Sequence, residues 1–537
     1  MRIDSTAPAS VPQDDFRGHF HSTGAFFIFN FPFRARDPIL LLLYPFAIVI
    51  DIAIIVLYLA GVVGTGVWFS KKQDSTAQYL LAGRTLPWWA IGASIVATET
   101  STISFISVPG IAYVRGGNFT FIQLVIGYLI GRVVITILLM PSYFSRQLVT
   151  VYELLHDVFG RGVTALAASL FVTMRTVADG VRLLLTALVM AAVYRAFDTD
   201  ASLTMTIVGS ILLLGIVMII FTFLGGIEAV VWVEVVQLLI YVGGAIAAAV
   251  VLIGKIPGGL GAAIDLGMEY DKFRVFDFSF DLGRSYVFWA GLVGGSFLTM
   301  STHGTDQFMV QRYLSSKNQW NAAVGLLTSG LVVLLQFLGF LFIGVLLFAF
   351  YRPDGMADWA ARPAAPFDAP DQVFAHFIAN HLPTGLMGLV VAAILAAAMS
   401  SSLSSIASTA VADLYTPLVP NRDDRHYLSV SRVITVVAGM VQIGVALVLM
   451  GGTRSALDLA LAVASLLNGP ILGIFLLGAV GVRGKTIALV SMTVGLVAVT
   501  WVWLGTDVAW PWYVAVGSLT TLFSGLVLRR LVRRQTG

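Results

Sequence analysis

Three stretches of this chain set hydroxyls, amides and charges inside otherwise apolar runs. In the first, Ala97-Thr98-Glu99-Thr100-Ser101-Thr102 interrupts an apolar helix, and Val108-Pro109-Gly110 follows. In the second, Gly294-Gly295 precedes Thr299-Met300-Ser301-Thr302-His303-Gly304-Thr305-Asp306-Gln307. The third runs Ser400-Ser401-Ser402-Leu403-Ser404-Ser405 and then Ser408-Thr409. Hydroxyls and helix carbonyls are hard oxygen ligands. A small cage of such neutral oxygens suits a monovalent alkali cation, which cannot repay the desolvation of many carboxylates. Ala398, Ser401 and Ser402 stand at i, i+3 and i+4 and share one helix face. Small residues at that spacing also let helices pack closely, so the spacing alone leaves both roles open.

Ionisable side chains inside apolar spans are costly, and each is a functional suspect. They include Glu99, Arg132, Arg175, Asp179, Arg182 and Glu234. Arg175, Asp179 and Arg182 are four and three residues apart, which makes one stripe down a helix. Asp179 neutralises one arginine there, so an unpaired positive charge is expected. The competing reading is a structural ion-pair network, with Glu234 as the partner of an arginine. His303 is a lone histidine, expected to be a satisfied polar residue rather than a proton relay. Asp306 and Asp413 are expected near helix ends.

The elements that must hold these groups follow from composition. Of 537 residues, 58 % are hydrophobic and only 11 % charged, with a mean hydropathy of +0.89. A soluble protein of this length carries roughly 25 % charged residues. The composition therefore excludes a secreted enzyme, a cytosolic nucleic-acid binder and a disordered scaffold, and predicts an all-α polytopic membrane protein. Composition implies the lipid bilayer as partner, and no nucleic acid or obligate protein partner; a small-molecule solute is expected only from the transporter pattern below. Cysteine is absent, which removes disulfides, thiolate metal sites and cysteine nucleophiles.

About thirteen apolar stretches near the length of one bilayer crossing are read at 51–69, 88–112, 119–142, 161–193, 204–226, 228–253, 286–308, 320–350, 385–413, 429–450, 456–481, 486–504 and 508–528. Lys71, Lys72, Arg84, Arg146, Arg161, Arg312, Lys317, Arg422, Arg425, Arg483, Lys485 and the tail Arg529, Arg530, Arg533 and Arg534 fall on one side. The short loops of the other side hold Arg115, Arg195 and Arg454. The positive-inside rule then predicts an integral plasma-membrane protein with its N-terminus outside and its C-terminus cytoplasmic. The polar breaks in the second and seventh spans stand five helices apart. Interrupted segments at corresponding places in two halves point to an inverted-repeat transporter, and unwound backbone is tolerated there only where it lines a cavity.

These clusters resemble the sodium:solute symporter family, which includes sodium–glucose, sodium–proline and sodium–sialic acid transporters. The resemblance runs from Asp51 to about Val482. It rests on Tyr79-Leu80-Leu81-Ala82-Gly83-Arg84 with Leu86-Pro87-Trp88, on Thr150-Val151-Tyr152-Glu153, and on Gly225-Gly226-Ile227-Glu228-Ala229-Val230-Val231-Trp232. It continues through Gly304-Thr305-Asp306-Gln307, Val310-Gln311-Arg312-Tyr313-Leu314 and Asn468-Gly469-Pro470. It implies a leucine-transporter-like fold with two inverted five-helix repeats. The expected organisation is an N-terminal extension (1–45), a first helix and loop (46–87), repeat one (88–253), an outer loop (254–285), repeat two (286–482), and two peripheral helices with a basic tail (483–537).

The resemblance also implies sites. One co-transported sodium ion would meet the backbone carbonyls of Ala97, Thr100 and Ala398 and the hydroxyls of Ser401 and Ser402. A second, used by some members, would meet Glu234, Ser404 and Ser405, with glutamate standing where the family has aspartate. Glu99 falls where the proline transporters carry an aspartate important for sodium. Ser101, Ser104, Gln123, Arg182, Thr299 and Thr302 are the implied substrate-lining residues, and Arg182 looks like the arginine that meets the substrate carboxylate in sialic acid transporters. The expected function is sodium-coupled uptake of a small polar solute, a carboxylate such as sialic acid or a monocarboxylate, and no enzymatic activity. The alternatives are a sodium/sugar or polyol symporter, a proton-coupled carrier using Glu99 or Glu234, and a membrane sensor without net transport.

Overall fold

A computed structural model describes residues 38–536 except 72, 101, 147, 198–199, 352–363, 365–366, 368–369, 400–401 and 451–453. The expected extension lies outside these residues as far as residue 37, and helix α1 (Pro38–Ser70) already occupies its end. Short α2 (Thr76–Leu81) follows, its first turn capped by Ser75 Oγ accepting from the Gln78 amide. Then come α3 (Trp88–Glu99) and α4 (Thr102–Tyr113). Next are α5 (Ile122–Val134), which runs through a π-turn into α6 (Met140–Phe144), and then α7 (Glu153–Phe159) and α8 (Arg161–Phe197). The longest element is α9 (Leu203–Lys255), followed by α10 (Gly259–Glu269).

The second half holds α11 (Gly295–Gly304), α12 (Gln307–Leu314), α13 (Gln319–Tyr351) and α14 (Pro370–His381). It continues with α15 (Leu386–Met399), α16 (Leu403–Thr409), α17 (Asp424–Met450), α18 (Arg454–Ala479), α19 (Lys485–Gly505) and α20 (Trp512–Thr536). The described residues form no strand, only one isolated bridge between Leu86 and Ser316.

Among the described residues, seven helices are long and apolar enough to cross a membrane, and α3 with α4, bent by 63°, would be an eighth. That is fewer than the thirteen expected. One reason is α9, whose 53 residues would span about 80 Å if straight, far more than one bilayer core. It is not straight. Gly226 has φ 57° and ψ −156°, and it falls at the boundary the sequence places between spans 204–226 and 228–253.

The polar breaks are held by close packing. Helix α9 packs on α1, α3, α8, α15 and α17, while α18, α19 and α20 pack on one another. Helices α5 and α11 approach so closely that a methyl at Gly127 would strike the Gly291 carbonyl, and one at Gly131 would lie 2.6 Å from the Ser296 oxygen. Buried Phe105 of α4 meets Tyr241, Phe340 and Phe374 at 5.2–5.4 Å between ring centroids, which joins α4 to α9, α13 and α14.

Two charged groups outside the breaks fix helix ends. The buried Asp51 carboxylate of α1 accepts from the amides of Gly385 (2.7 Å) and Gly388 (2.8 Å) at the start of α15, where a negative group offsets the helix dipole. At the end of α4, fully buried Lys272 donates from Nζ to the carbonyls of Ala112 (2.9 Å), Tyr113 (3.1 Å) and Val114 (2.6 Å), 4.5 Å from the Phe348 ring. Lys272→Met keeps the volume and strips the donor from these carbonyls. It should destabilise the protein by about 2 kcal/mol, read as a lowered unfolding temperature in detergent. An unchanged temperature would mean that these three bonds contribute nothing.

Candidate functional site

Helix α3 ends at Glu99, and its C-cap Thr100 has φ −81° and ψ 81°. A helix end leaves its last carbonyls without in-helix donors and carries the negative pole of the dipole. This end therefore offers oxygen to a cation without spending a carboxylate on it. Glu99 is otherwise engaged: it pairs with the buried Arg132 of α5 and lies 3.1 Å from Nε2 of His303 on α11. The other histidine nitrogen, Nδ1, is 3.0 Å from the Thr302 hydroxyl. His303 is thus buried between Glu99 and Thr302, its Nε2 facing the carboxylate without a well-formed hydrogen bond, and it ties the two interrupted segments to each other.

The second edge is the turn before α16. Ser402 stands at the N-cap position of that helix without a side-chain capping bond; its amide (2.8 Å) and hydroxyl (2.5 Å) both donate to Oδ2 of Asp179 on α8. The following serines bond along the helix, Ser405 to the Ser402 carbonyl (2.8 Å) and Ser408 to the Ser405 carbonyl (3.0 Å). Ser404 accepts from Gln311 at 3.0 Å. Ser101 and Ser401 lie outside the described residues, as does the Ala398 side chain; its backbone belongs to α15.

Beside this turn, three guanidiniums surround one phenyl ring. The Cζ atoms of Arg175, Arg312 and Arg182 lie 4.5, 4.6 and 5.9 Å from the Phe308 centroid. Each has a carboxylate: Arg175 bonds Asp306 at 2.5 Å, Arg312 bonds Glu234 at 2.5 Å, and Arg182 lies 3.8 Å from Asp179 Oδ1. The surplus positive charge expected on the α8 stripe is therefore absent. Arg175 turns to Asp306 across 131 residues of sequence, leaving Asp179 to Arg182. The Asp306 carboxylate also caps α12, accepting from the Phe308 amide at 2.9 Å.

Glu234 is encircled. Arg312 contributes Nη2 at 2.5 Å and Nε at 3.3 Å, the Thr98 hydroxyl donates at 3.1 Å, and the Ser94 hydroxyl donates to the other oxygen. Arg312, read from sequence as a loop charge, is completely buried on α12. It is the charged residue of this cluster that sequence reasoning misplaced. Its flanks Phe308-Met309-Val310 and Tyr313-Leu314 were the available signal that it sits in an apolar setting.

The remaining implied lining residues are dispersed in role. Gln123 spends its amide on backbone, donating to Thr120 and Tyr286 (3.1 Å each) and accepting from Asp277 at 3.0 Å, so it fastens the 270–286 segment. Thr299 is buried against Gly131. Thr302 donates to the Leu298 carbonyl at 3.0 Å. Ser104 is half-buried on α4. Among the three arginines, the Arg182 side chain is the most open, 26 % exposed against 14 % for Arg175 and 1 % for Arg312.

Comparison with known proteins gives a consistent answer. The family model described as the sodium:solute symporter family matches residues 79–502. The chain is 29 % identical to the sodium/sialic acid symporter of Aliivibrio fischeri over 87 % of this chain and 90 % of that one. It is 28 % identical to the sodium/sialic acid symporter of Proteus mirabilis over 89 % and 94 %. The human sodium/iodide cotransporter is 27 % identical over 85 % of this chain and 70 % of its own length. Among solved structures, a substrate-bound, outward-open Na+-coupled sialic acid symporter superposes with a TM-score of 0.78 at 27 % identity, covering 90 % of this chain and 97 % of the other.

Proposed function

The chain belongs to the sodium:solute symporter family, and from that premise we propose that it takes up a small carboxylate by sodium-coupled symport. Inward sodium flow drives the solute through a site that opens alternately to each side of the plasma membrane. Sodium binds between the α3 end and the α16 turn, at the carbonyls of Ala97, Thr100 and Ala398 and the hydroxyls of Ser401 and Ser402. Thirteen spans in two inverted five-helix repeats, with the N-terminus outside and the C-terminus cytoplasmic, give the two faces. Ser101, Ser104, Thr299 and Thr302 lie on the broken segments flanking the solute, while Glu234, the implied ligand of a second sodium with Ser404 and Ser405, is already neutralised by Arg312, so this reading uses one sodium.

The observation that carries the anionic substrate is the Arg182 guanidinium, the most exposed member of the cluster. A planar fork binds a carboxylate through two parallel charge-assisted bonds. Lysine keeps the charge and loses the fork, so Arg182→Lys should weaken an acid substrate at least about tenfold, or 1.4 kcal/mol. Competition measures it: sialic acid should inhibit sodium-dependent uptake far better than its amide. One observation favours a neutral sugar or polyol instead, since Asp179 already faces Arg182. If neutral sugars compete best and Arg182→Lys leaves their affinity unchanged, that second reading replaces the first.

A further inference from the structure

Asp179 is a proposed ligand of neither sodium nor solute, yet it touches a residue of each site. One oxygen, Oδ2, takes the Ser402 hydroxyl and amide at 2.5 and 2.8 Å. The other, Oδ1, faces Arg182 Nη1 at 3.8 Å and makes no hydrogen bond. The carboxylate is 4 % exposed. It is therefore a buried charge between a proposed sodium ligand and the proposed anion reader, one helical turn from the latter.

We propose that Asp179 couples the two substrates, orienting Ser402 toward sodium with one oxygen and holding Arg182 back from anions with the other. This rests on the symport reading above. A hydroxyl that donates its proton to a carboxylate turns its lone pairs elsewhere, so Asp179 presents Ser402 as an acceptor for the cation. Such support is what fixes and strengthens ligand atoms around ions. A sodium ion at Ser402 then sits one hydrogen bond from Asp179 and takes over its negative charge, which frees Arg182 for a carboxylate.

The charge count gives the coupling its sign. Arg175, Arg182 and Arg312 balance Asp306, Asp179 and Glu234 around Phe308. The empty cluster is neutral, and with one sodium and one anion it is neutral again. With either ligand alone it carries a net unit charge in a poorly screened place, where charges interact far more strongly than in water. Each ligand therefore strengthens the other, reciprocally.

Asp179→Asn separates this role from a structural one. The variant should bind sodium alone at least tenfold more weakly than wild type. It should also bind sialic acid in sodium-free potassium buffer at least tenfold more tightly, because Arg182 no longer has its internal anion. A residue that merely supports the fold would weaken both ligands when removed. Ser402→Ala is the second variant: it should weaken sodium while leaving sodium-free sialic acid binding as poor as in wild type. Thermal-shift titrations of the purified protein read all arms. If wild type responds to sodium and Asp179→Asn responds identically, the coupling role is lost and symport stands. If wild type shows no sodium response at all, the symport reading falls, and the coupling with it. Should Asp179→Asn fail to fold, Ser402→Ala with sodium dependence unchanged from wild type also overturns the proposal, since Asp179 is argued to act on sodium through that hydroxyl.

Discussion

Glu234→Gln is expected to remove most of the folded protein, at a cost of about 3–5 kcal/mol, because it strands a buried guanidinium. Arg312 is closed off by Phe308, Ser94 and Glu234, and neither it nor Glu234 is more than 1 % exposed in its side chain. Glutamine leaves an unpaired cation with no route to water. Arg312→Gln should be equally damaging, for the mirror-image reason. The double variant, which removes both charges, should recover much of the loss, since the expense lies in the uncompensated charge rather than in the lack of a pair. Expression level and unfolding temperature in detergent give the cycle. The opposite outcome is specific: if Glu234→Gln unfolds at the wild-type temperature and the sodium-to-solute ratio falls by one, Glu234 serves a second cation.

Gly226→Ala should be comparably severe. Its φ of 57° with ψ of −156° belongs to a region that only glycine occupies readily, costing other residues about 1–3 kcal/mol. A methyl there would also strike the carbonyl oxygen of Tyr79. Tyr79 cannot step aside, being fully buried with its hydroxyl bonded to the Thr222 carbonyl (3.1 Å) and near the Thr435 hydroxyl (3.2 Å). The α9 bend, α2 and α17 would all have to move. Gly209→Ala and Gly243→Ala lie on the same helix with no atom within 4 Å of the added methyl, and both should express and unfold like wild type. Normal behaviour of Gly226→Ala would show that α9 tolerates a different bend.

Much of the architecture was legible because a bilayer leaves few options. Apolar length, the Gly225-Gly226 punctuation and the polar interruptions at 97–102, 299–307 and 400–405 are local properties, and local properties can be read along a chain. So is the stripe of Arg175, Asp179 and Arg182, which helical periodicity alone puts on one face of α8. What periodicity cannot supply is the neighbour across the gap. The sequence left Arg175 and Arg182 competing for Asp179, and took Arg312 for a loop residue. The fold gives Arg175 to Asp306, Arg312 to Glu234, and Asp179 to both Arg182 and Ser402. Those partners lie between 3 and 223 residues apart. Their choice is settled where helices from both halves converge on Phe308, because each charge carried out of water must end beside an opposite one or a donor, and only the packed helices decide which is within reach.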